Sequence, residues 1–254
     1  MTSARLLSPW RAARLVVRSA ETSRGANLVF AVEDWSGHRA GQHVDLRLTA
    51  ADGYQAQRSY SIASAPRRGV LTLTVERLED GEVSPYLVDE MQAGDVAELR
   101  RPIGDWFVWS PDDRRLLLLI GGGFGIVPLM SMLRHRSAVC GSVSARVIIS
   151  ARTTAEIPYA AELDRLERGD PTLDVRRVLT QRRPGEPSSS RRLNHDRLSE
   201  LAYAPELQPA IFVCGPTGFV ETVTAALVEL GHDANTIHAE RFGPTGEQHE
   251  LRAA

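Results

Sequence analysis

Up to about residue 110, apolar positions fall in short runs that alternate with polar ones, as in Val-Asp-Leu-Arg-Leu at 44–48 and Leu-Thr-Leu-Thr-Val-Glu-Arg at 71–77. This period of two predicts strands over Asn27–Val32, His43–Leu48, Ser59–Ala63, Val70–Arg77 and Val96–Leu99, and Leu15, Val16 and Val17 read as one more. Turn residues separate the runs, which is the pattern of an antiparallel barrel or sandwich. One short helix fits Ser84–Met91, with Ser84 as its cap and Pro85 at its first helical position.

Beyond residue 110 the rhythm changes. Strands without alternation, Leu116–Ile120, Arg146–Ser150, Leu173–Leu179 and Ala210–Cys214, are separated by helical stretches near Val127–Arg136, Tyr159–Arg168, His195–Leu201 and Gly218–Leu230. A final strand fits Thr236–Glu240. Apolar strands interleaved with helices predict a parallel sheet covered on both faces. The fold class is therefore an antiparallel β-barrel over residues 1–110 followed by a Rossmann-like α/β domain over 111–254. Trp106–Arg115 is expected to link them, and Pro184–Ser190 reads as an exposed loop.

Composition narrows the chemistry. All 30 basic residues are arginine. Without lysine there is no Schiff-base or P-loop chemistry, although guanidinium remains a good fork for phosphate. A net charge of −2 argues against a nucleic-acid binder. No apolar run approaches the roughly 20 residues of a membrane helix, so no membrane insertion is expected and the chain reads as cytoplasmic. The two cysteines, Cys140 and Cys214, are too few for an iron–sulfur cluster. The seven histidines show no ligand spacing, so no metal site is expected.

Three clusters carry candidate chemistry. Leu116–Ile120 runs into Gly121-Gly122-Gly123-Phe124-Gly125-Ile126-Val127-Pro128, a glycine turn between strand and helix. Backbone N–H groups there can approach a phosphate, and Pro128 suits the first helical position. Arg58-Ser59-Tyr60-Ser61 offers a guanidinium for a pyrophosphate and a flat aromatic face. Gly81-Glu82-Val83-Ser84 is a second glycine turn into a helix start.

Taken together, these motifs resemble those of the ferredoxin–NADP reductase family. The RSYS of 58–61, the GEVS of 81–84, the GGGFGIVP of 121–128 and the Cys-Gly-Pro of 214–216 occur in that family's order, across roughly residues 10–243. The resemblance implies FAD on the barrel and NADPH, with NADH as the alternative, on the α/β domain. It implies that Arg58 holds the flavin pyrophosphate, with Ser59 beside it, that Tyr60 stacks on the flavin ring, and that Ser61 bonds near flavin N5. Val83 and Ser84 would donate to the FAD phosphates. Gly122, Gly123 and Gly125, with Pro128, would admit the dinucleotide, and Cys214, Gly215 and Pro216 would sit beside the nicotinamide. Glu240 and Phe242 are similar to the late acid and terminal aromatic of plant-type members, as proton relay and ring cover.

Ser150-Ala151-Arg152 ends the second parallel strand without an acid. Arg152, Arg182 and Arg192 are the nearest matches to the arginines that follow comparable strands or loops in NADPH-using bacterial reductases, so the resemblance implies them as candidates for an adenosine 2′-phosphate. The chain ends at Ala254 with no cluster of its own, so the expected acceptor is a separate protein, a ferredoxin or an oxygenase or other redox component. A flavin reductase that releases its reduced flavin, and a non-catalytic docking subunit, are the alternatives.

Overall fold

The computed structural model describes residues 9–139, 143–181 and 192–243. Six antiparallel strands form the first sheet: β1 (Arg11–Thr22), β2 (Gly25–Val32), β3 (His43–Thr49), β4 (Gln55–Ser61), β5 (Val70–Glu76) and β6 (Val96–Leu99). Their order is β4-β3-β6-β1-β2-β5, and an Ile62–Leu73 bridge brings the two edges together into a barrel-like closure. Leu15, Leu28, Phe30, Leu46, Leu71 and Leu73 fill its interior from the alternate positions that the sequence pattern marks.

Two strands differ from expectation for a common reason. β1 extends well beyond Leu15–Val17, and most of its remaining residues face solvent. β4 begins at Gln55 and ends at Ser61; its polar Gln-Ala-Gln-Arg is held by backbone pairing to β3, Gln55 opposite Thr49 through Ser61 opposite His43. Neither stretch has an apolar period to read.

The segment after Gly81 also differs. It forms a π-helical turn over Tyr86–Glu90, with Pro85 in the capping position. The Ser84 hydroxyl does not cap it; Oγ accepts the Leu78 N–H at 3.1 Å. Val83, Leu87 and Met91 plug the barrel.

The second sheet is parallel: β7 (Leu117–Gly122), β8 (Ala145–Ala151), β9 (Leu173–Leu179), β10 (Ala210–Pro216) and β11 (Ile237–Phe242), in the order β11-β10-β7-β8-β9. Leu117 and Leu119 face the layer of α1 (Ile126–Val139) and α2 (Ala160–Gly169). Leu118 and Ile120 face that of α3 (His195–Leu201) and α4 (Thr217–Glu229). The strand order reverses between β10 and β7, which opens a crevice at their carboxyl ends.

The stretch read as a linker is part of a core: Phe107 and Trp109 are buried with Leu129, Met132 and Leu133 of α1, and with Ala40 and Ala63 from barrel loops. Polar bonds add to this junction. Arg134 Nη1 donates to Ala63 O at 2.6 Å and Ser131 Oγ to Ser64 O at 2.7 Å. Tyr159 is held in the left-handed region at φ 61°, which is costly for a residue with a Cβ. Glu21 accepts its backbone N–H at 2.5 Å, and its hydroxyl bonds Thr74.

Candidate functional site

The carboxyl ends of β7, β10 and β11 bring three groups into register: Gly121 opposite Cys214, and Cys214 opposite Glu240. Gly125 packs so tightly on β10 that a Cβ there would lie 2.1 Å from the Cys214 carbonyl oxygen. Gly123 has φ +54° with open space beyond it, so the turn presents bare backbone to the cleft. Phe219, in the first turn of α4, lies over Gly122 and Gly215, whose Cβ atoms would fall 2.9 and 2.7 Å from its ring. The helix opens at Ile126, directly after a tighter turn over Gly123–Gly125, so Pro128 is its third residue rather than its first.

A cleft of about 260 Å³ runs from this turn towards the barrel. Gly122, Gly123, Pro216, Phe219 and Phe242 line one part of it, and Arg152, Glu156, Arg24 and Glu76 another. Arg152 Nε lies 2.7 Å from Glu156 Oε2, and Arg24 Nη2 lies 3.3 Å from Glu76 Oε1. Burial pushes the Glu76 carboxyl up, against the pull of Arg24 and Arg152. Arg192 is exposed and is not among the lining residues. Arg182 and Cys140 lie outside the described residues.

On the barrel side, Arg58 and Tyr60 alternate with Ser59 and Ser61 along β4. Arg58 is exposed; its Nη2 reaches Glu82 Oε2 at 3.4 Å, and Tyr54 donates to Glu82 Oε1 at 2.5 Å. Glu82 thus occupies the guanidinium where an anionic ligand would lie. Ser59 turns the other way and donates to Asp45 Oδ1 at 2.6 Å. Tyr60 packs against the barrel core, and burial pushes its phenol up, so it stays neutral. Val83 and Ser84 are both buried in the Gly81 turn.

The two halves meet at His43. It pairs with Ser61 across β3 and β4, and its Nδ1 stands 3.6 Å from Glu240 Oε1. Burial pushes the Glu240 carboxyl up to about 7, and its Oε2 is buried without a hydrogen-bond partner among the described residues. Cys214 is fully buried, and burial, with Glu240 beside it, holds its thiol protonated. Phe242 pairs with Pro216 at the cleft rim.

His43, Glu156 and Phe219 lie outside the motifs, and Glu82 lies within GEVS with no role of its own read from it. His43 opens an otherwise ordinary alternating strand. Glu156 carries one readable signal, its spacing of four from Arg152.

Two domain families match the chain: an oxidoreductase FAD-binding domain over residues 14–108 and an oxidoreductase NAD-binding domain over 119–225. The chain is 34% identical over 211 residues to a glycine betaine monooxygenase reductase subunit from Chromohalobacter salexigens, a match covering 82% of this chain and 56% of the relative. A flavohemoprotein from Giardia intestinalis is 32% identical, with 84% and 55% covered. The chain thus spans a little over half the length of these curated relatives.

Among solved structures, the flavohem-like FAD/NAD-binding domain of a Vibrio cholerae nitric oxide dioxygenase aligns with TM-score 0.79 at 24% identity, covering 92% of this chain and 99% of that one. A Neisseria gonorrhoeae ferredoxin NADP+ reductase with bound FAD and NADP aligns at 0.76 and 19% identity, covering 91% and 98%. The chain belongs to the ferredoxin–NADP reductase family of NAD(P)H-dependent flavoprotein oxidoreductases.

The residues fit that family's cofactors. The bare turn at Gly123, the ring of Phe219 over a glycine floor and the unpartnered Oε2 of Glu240 all belong to a site built for ligands. Among the described residues no group of side chains could hold a metal ion, and no helix is long and apolar enough to cross a membrane.

Proposed function

We propose that the chain is an FAD-dependent oxidoreductase that takes electrons from NADPH in preference to NADH and passes them to a separate redox protein, such as a ferredoxin or an oxygenase component. In this reading residues 1–110 hold FAD and residues 111–254 hold the nicotinamide dinucleotide. One observation carries it: the Ser61–His43 end of the barrel stands against the Cys214–Glu240 end of the parallel sheet, and the glycine turn opens on a cleft bordered by Pro216 and Phe242, two residues further along those strands.

When both are bound, the cofactors supply hydride transfer from nicotinamide to flavin N5. The protein's part is placement. Arg58 exchanges Glu82 for a pyrophosphate, and Val83 and Ser84 present backbone N–H groups beside it. Tyr60 would offer its ring as a platform for the flavin, and Phe242 would cover the ring. Gly122, Gly123 and Gly125, with Pro128 behind them, leave room for the dinucleotide phosphates, and Gly215 and Pro216 shape the wall beside Cys214. Ser61 donates at the flavin edge, and Glu240, poised near neutrality, holds a proton within ion-pair reach of His43.

Arg152 at the cleft rim supports NADPH over NADH, with Arg24 adding positive charge and Glu156 opposing it. The oxygenase reductase subunits among the relatives support a protein acceptor.

The test is anaerobic reduction of the FAD-loaded protein by NADPH and NADH in turn. Rapid bleaching of the flavin absorbance, faster with NADPH, is the expected result. A protein that cannot be loaded with FAD overturns the proposal. Loss of all flavin on desalting after reduction points instead to release of reduced flavin.

A further inference from the structure

The cleft beside the glycine turn has a wall that no sequence motif marks. Thr22, Ser23 and Arg24, at the tip of the β1–β2 hairpin, line it from the barrel, together with Glu76 at the end of β5. The hairpin is seated on the glycine turn itself. A Cβ on Gly25 would lie 2.8 Å from the Val75 carbonyl oxygen and closer still to the ring of Phe124. The backbone of the tip is pinned on both sides: Arg24 N–H donates to Thr22 Oγ1 at 3.2 Å, and Arg24 O accepts the Arg77 N–H at 2.7 Å. The Arg24 side chain is thus presented from a fixed stalk, with about half its surface in solvent.

Four side chains from the two domains meet here with alternating charge. Arg24 Nη2 stands 3.3 Å from Glu76, and Arg152 Nε stands 2.7 Å from Glu156. The two pairs are within reach of each other, because Arg152 and Glu156 act on the Glu76 carboxyl as Arg24 does. Burial disfavours the charged form of Glu76, which weakens its hold on Arg24. Each guanidinium is held by an acid that a better anion can displace. A phosphate monoester is such an anion: it carries close to two charges and offers three acceptor oxygens to a planar fork. In a sheet of this kind the group that reads the ribose 2′ position stands at the end of the second strand, where Arg152 is, and the pyrophosphate lies at the helix N-terminus. Both guanidiniums act on Glu76, so they converge at the ribose end of the cleft.

We propose that the β1–β2 hairpin belongs to the coenzyme site and that Arg24 is a specificity-determining residue, reaching the 2′-phosphate of NADPH from the barrel side, opposite Arg152. The inference rests on the NADPH reading above and adds to it a ligand from the other domain.

The test titrates two fragments that differ only at the 2′ position, adenosine 2′,5′-bisphosphate and 5′-AMP, into the FAD-loaded protein by calorimetry. Wild type binds the bisphosphate about tenfold or more tightly than 5′-AMP. Arg24→Gln weakens the bisphosphate about tenfold and 5′-AMP less than about twofold, the scale of one lost charged hydrogen bond. Arg24→Lys, which keeps the charge without the fork, recovers part of the loss. Glu76→Gln acts in the opposite sense and tightens the bisphosphate about threefold, because Arg24 no longer has to exchange partners. That sign separates a ligand from a brace: if Arg24 only held the hairpin through Glu76, both substitutions would weaken binding together.

Equal losses for the two fragments in Arg24→Gln overturn the proposal, as does a wild type with no preference for the bisphosphate or a Glu76→Gln that weakens it. The titration needs no turnover. If the bisphosphate binds with this dependence on Arg24 but neither coenzyme bleaches the flavin, the reductase reading fails and the role of Arg24 stands. If FAD cannot be loaded, the same titration on the chain without flavin decides it.

Discussion

His43 and Glu240 come from different sheets, yet Nδ1 of one stands 3.6 Å from Oε1 of the other, beside Cys214 and Ser61. A carboxyl raised from 4.5 to about 7 binds its proton more tightly in the folded chain than in the unfolded one. Its contribution to stability is therefore complete below about 4.5 and is lost as pH rises through about 7. Glu240→Gln should remove this dependence. Between roughly pH 5 and 8 the melting temperature of wild type should fall by several degrees relative to that of the variant. Parallel melting curves across that range would contradict the assignment.

Arg58 has an internal anion, Glu82, at 3.4 Å. Arg58→Ala should weaken FAD binding by about 10- to 100-fold, the scale of a lost charged hydrogen-bond pair. Glu82→Gln should act in the opposite sense and tighten binding a few-fold, because the guanidinium no longer has to exchange partners. Quenching of flavin fluorescence on titration measures both.

Arg152 and Glu156 form a comparable pair at the far end of the cleft. Arg152→Ala should raise the KM for NADPH about tenfold, near 1.4 kcal/mol, and change that for NADH little. Glu156→Gln should shift the ratio of kcat/KM values towards NADPH. Steady-state kinetics with both coenzymes decides it; equal effects on the two would remove Arg152 from the 2′ site.

Gly125 and Gly123 are neighbours in one turn with different reasons to be glycine. Gly125→Ala puts a methyl 2.1 Å from the Cys214 carbonyl and should prevent stable folding or cost more than about 3 kcal/mol. Gly123→Ala meets no atom within 4 Å and should cost only about 1–2 kcal/mol from its positive φ. Thermal denaturation separates the two.

Much of the fold was legible because burial leaves a period. The alternation in β3 and β5, and the continuous apolar strands β7, β8 and β10, reflect faces that must be dry. Where pairing rests on the backbone alone, as in β4, or where arginines face water, as in β1, the pattern falls silent. The turns at Gly81 and Gly121 could be found because close backbone approach calls for glycine. Other roles could not: His43 meets Glu240 from the other sheet, and Glu82 meets Arg58 from a separate segment, contacts that local sequence does not encode. Trp106–Arg115 looked like a tether because it carries charge and proline, but Phe107 and Trp109 inside it are core residues.

Tyr159 gives the arrangement its last consequence. To swing one sheet away from the other, the chain would have to undo the bonds of Tyr159 to Glu21 and Thr74, withdraw Arg134 and Ser131 from the barrel carbonyls, and wet Phe107 and Trp109. The distance between the two sheets is thus a product of folding, established once. Whatever spans the junction meets walls whose separation the fold has already set.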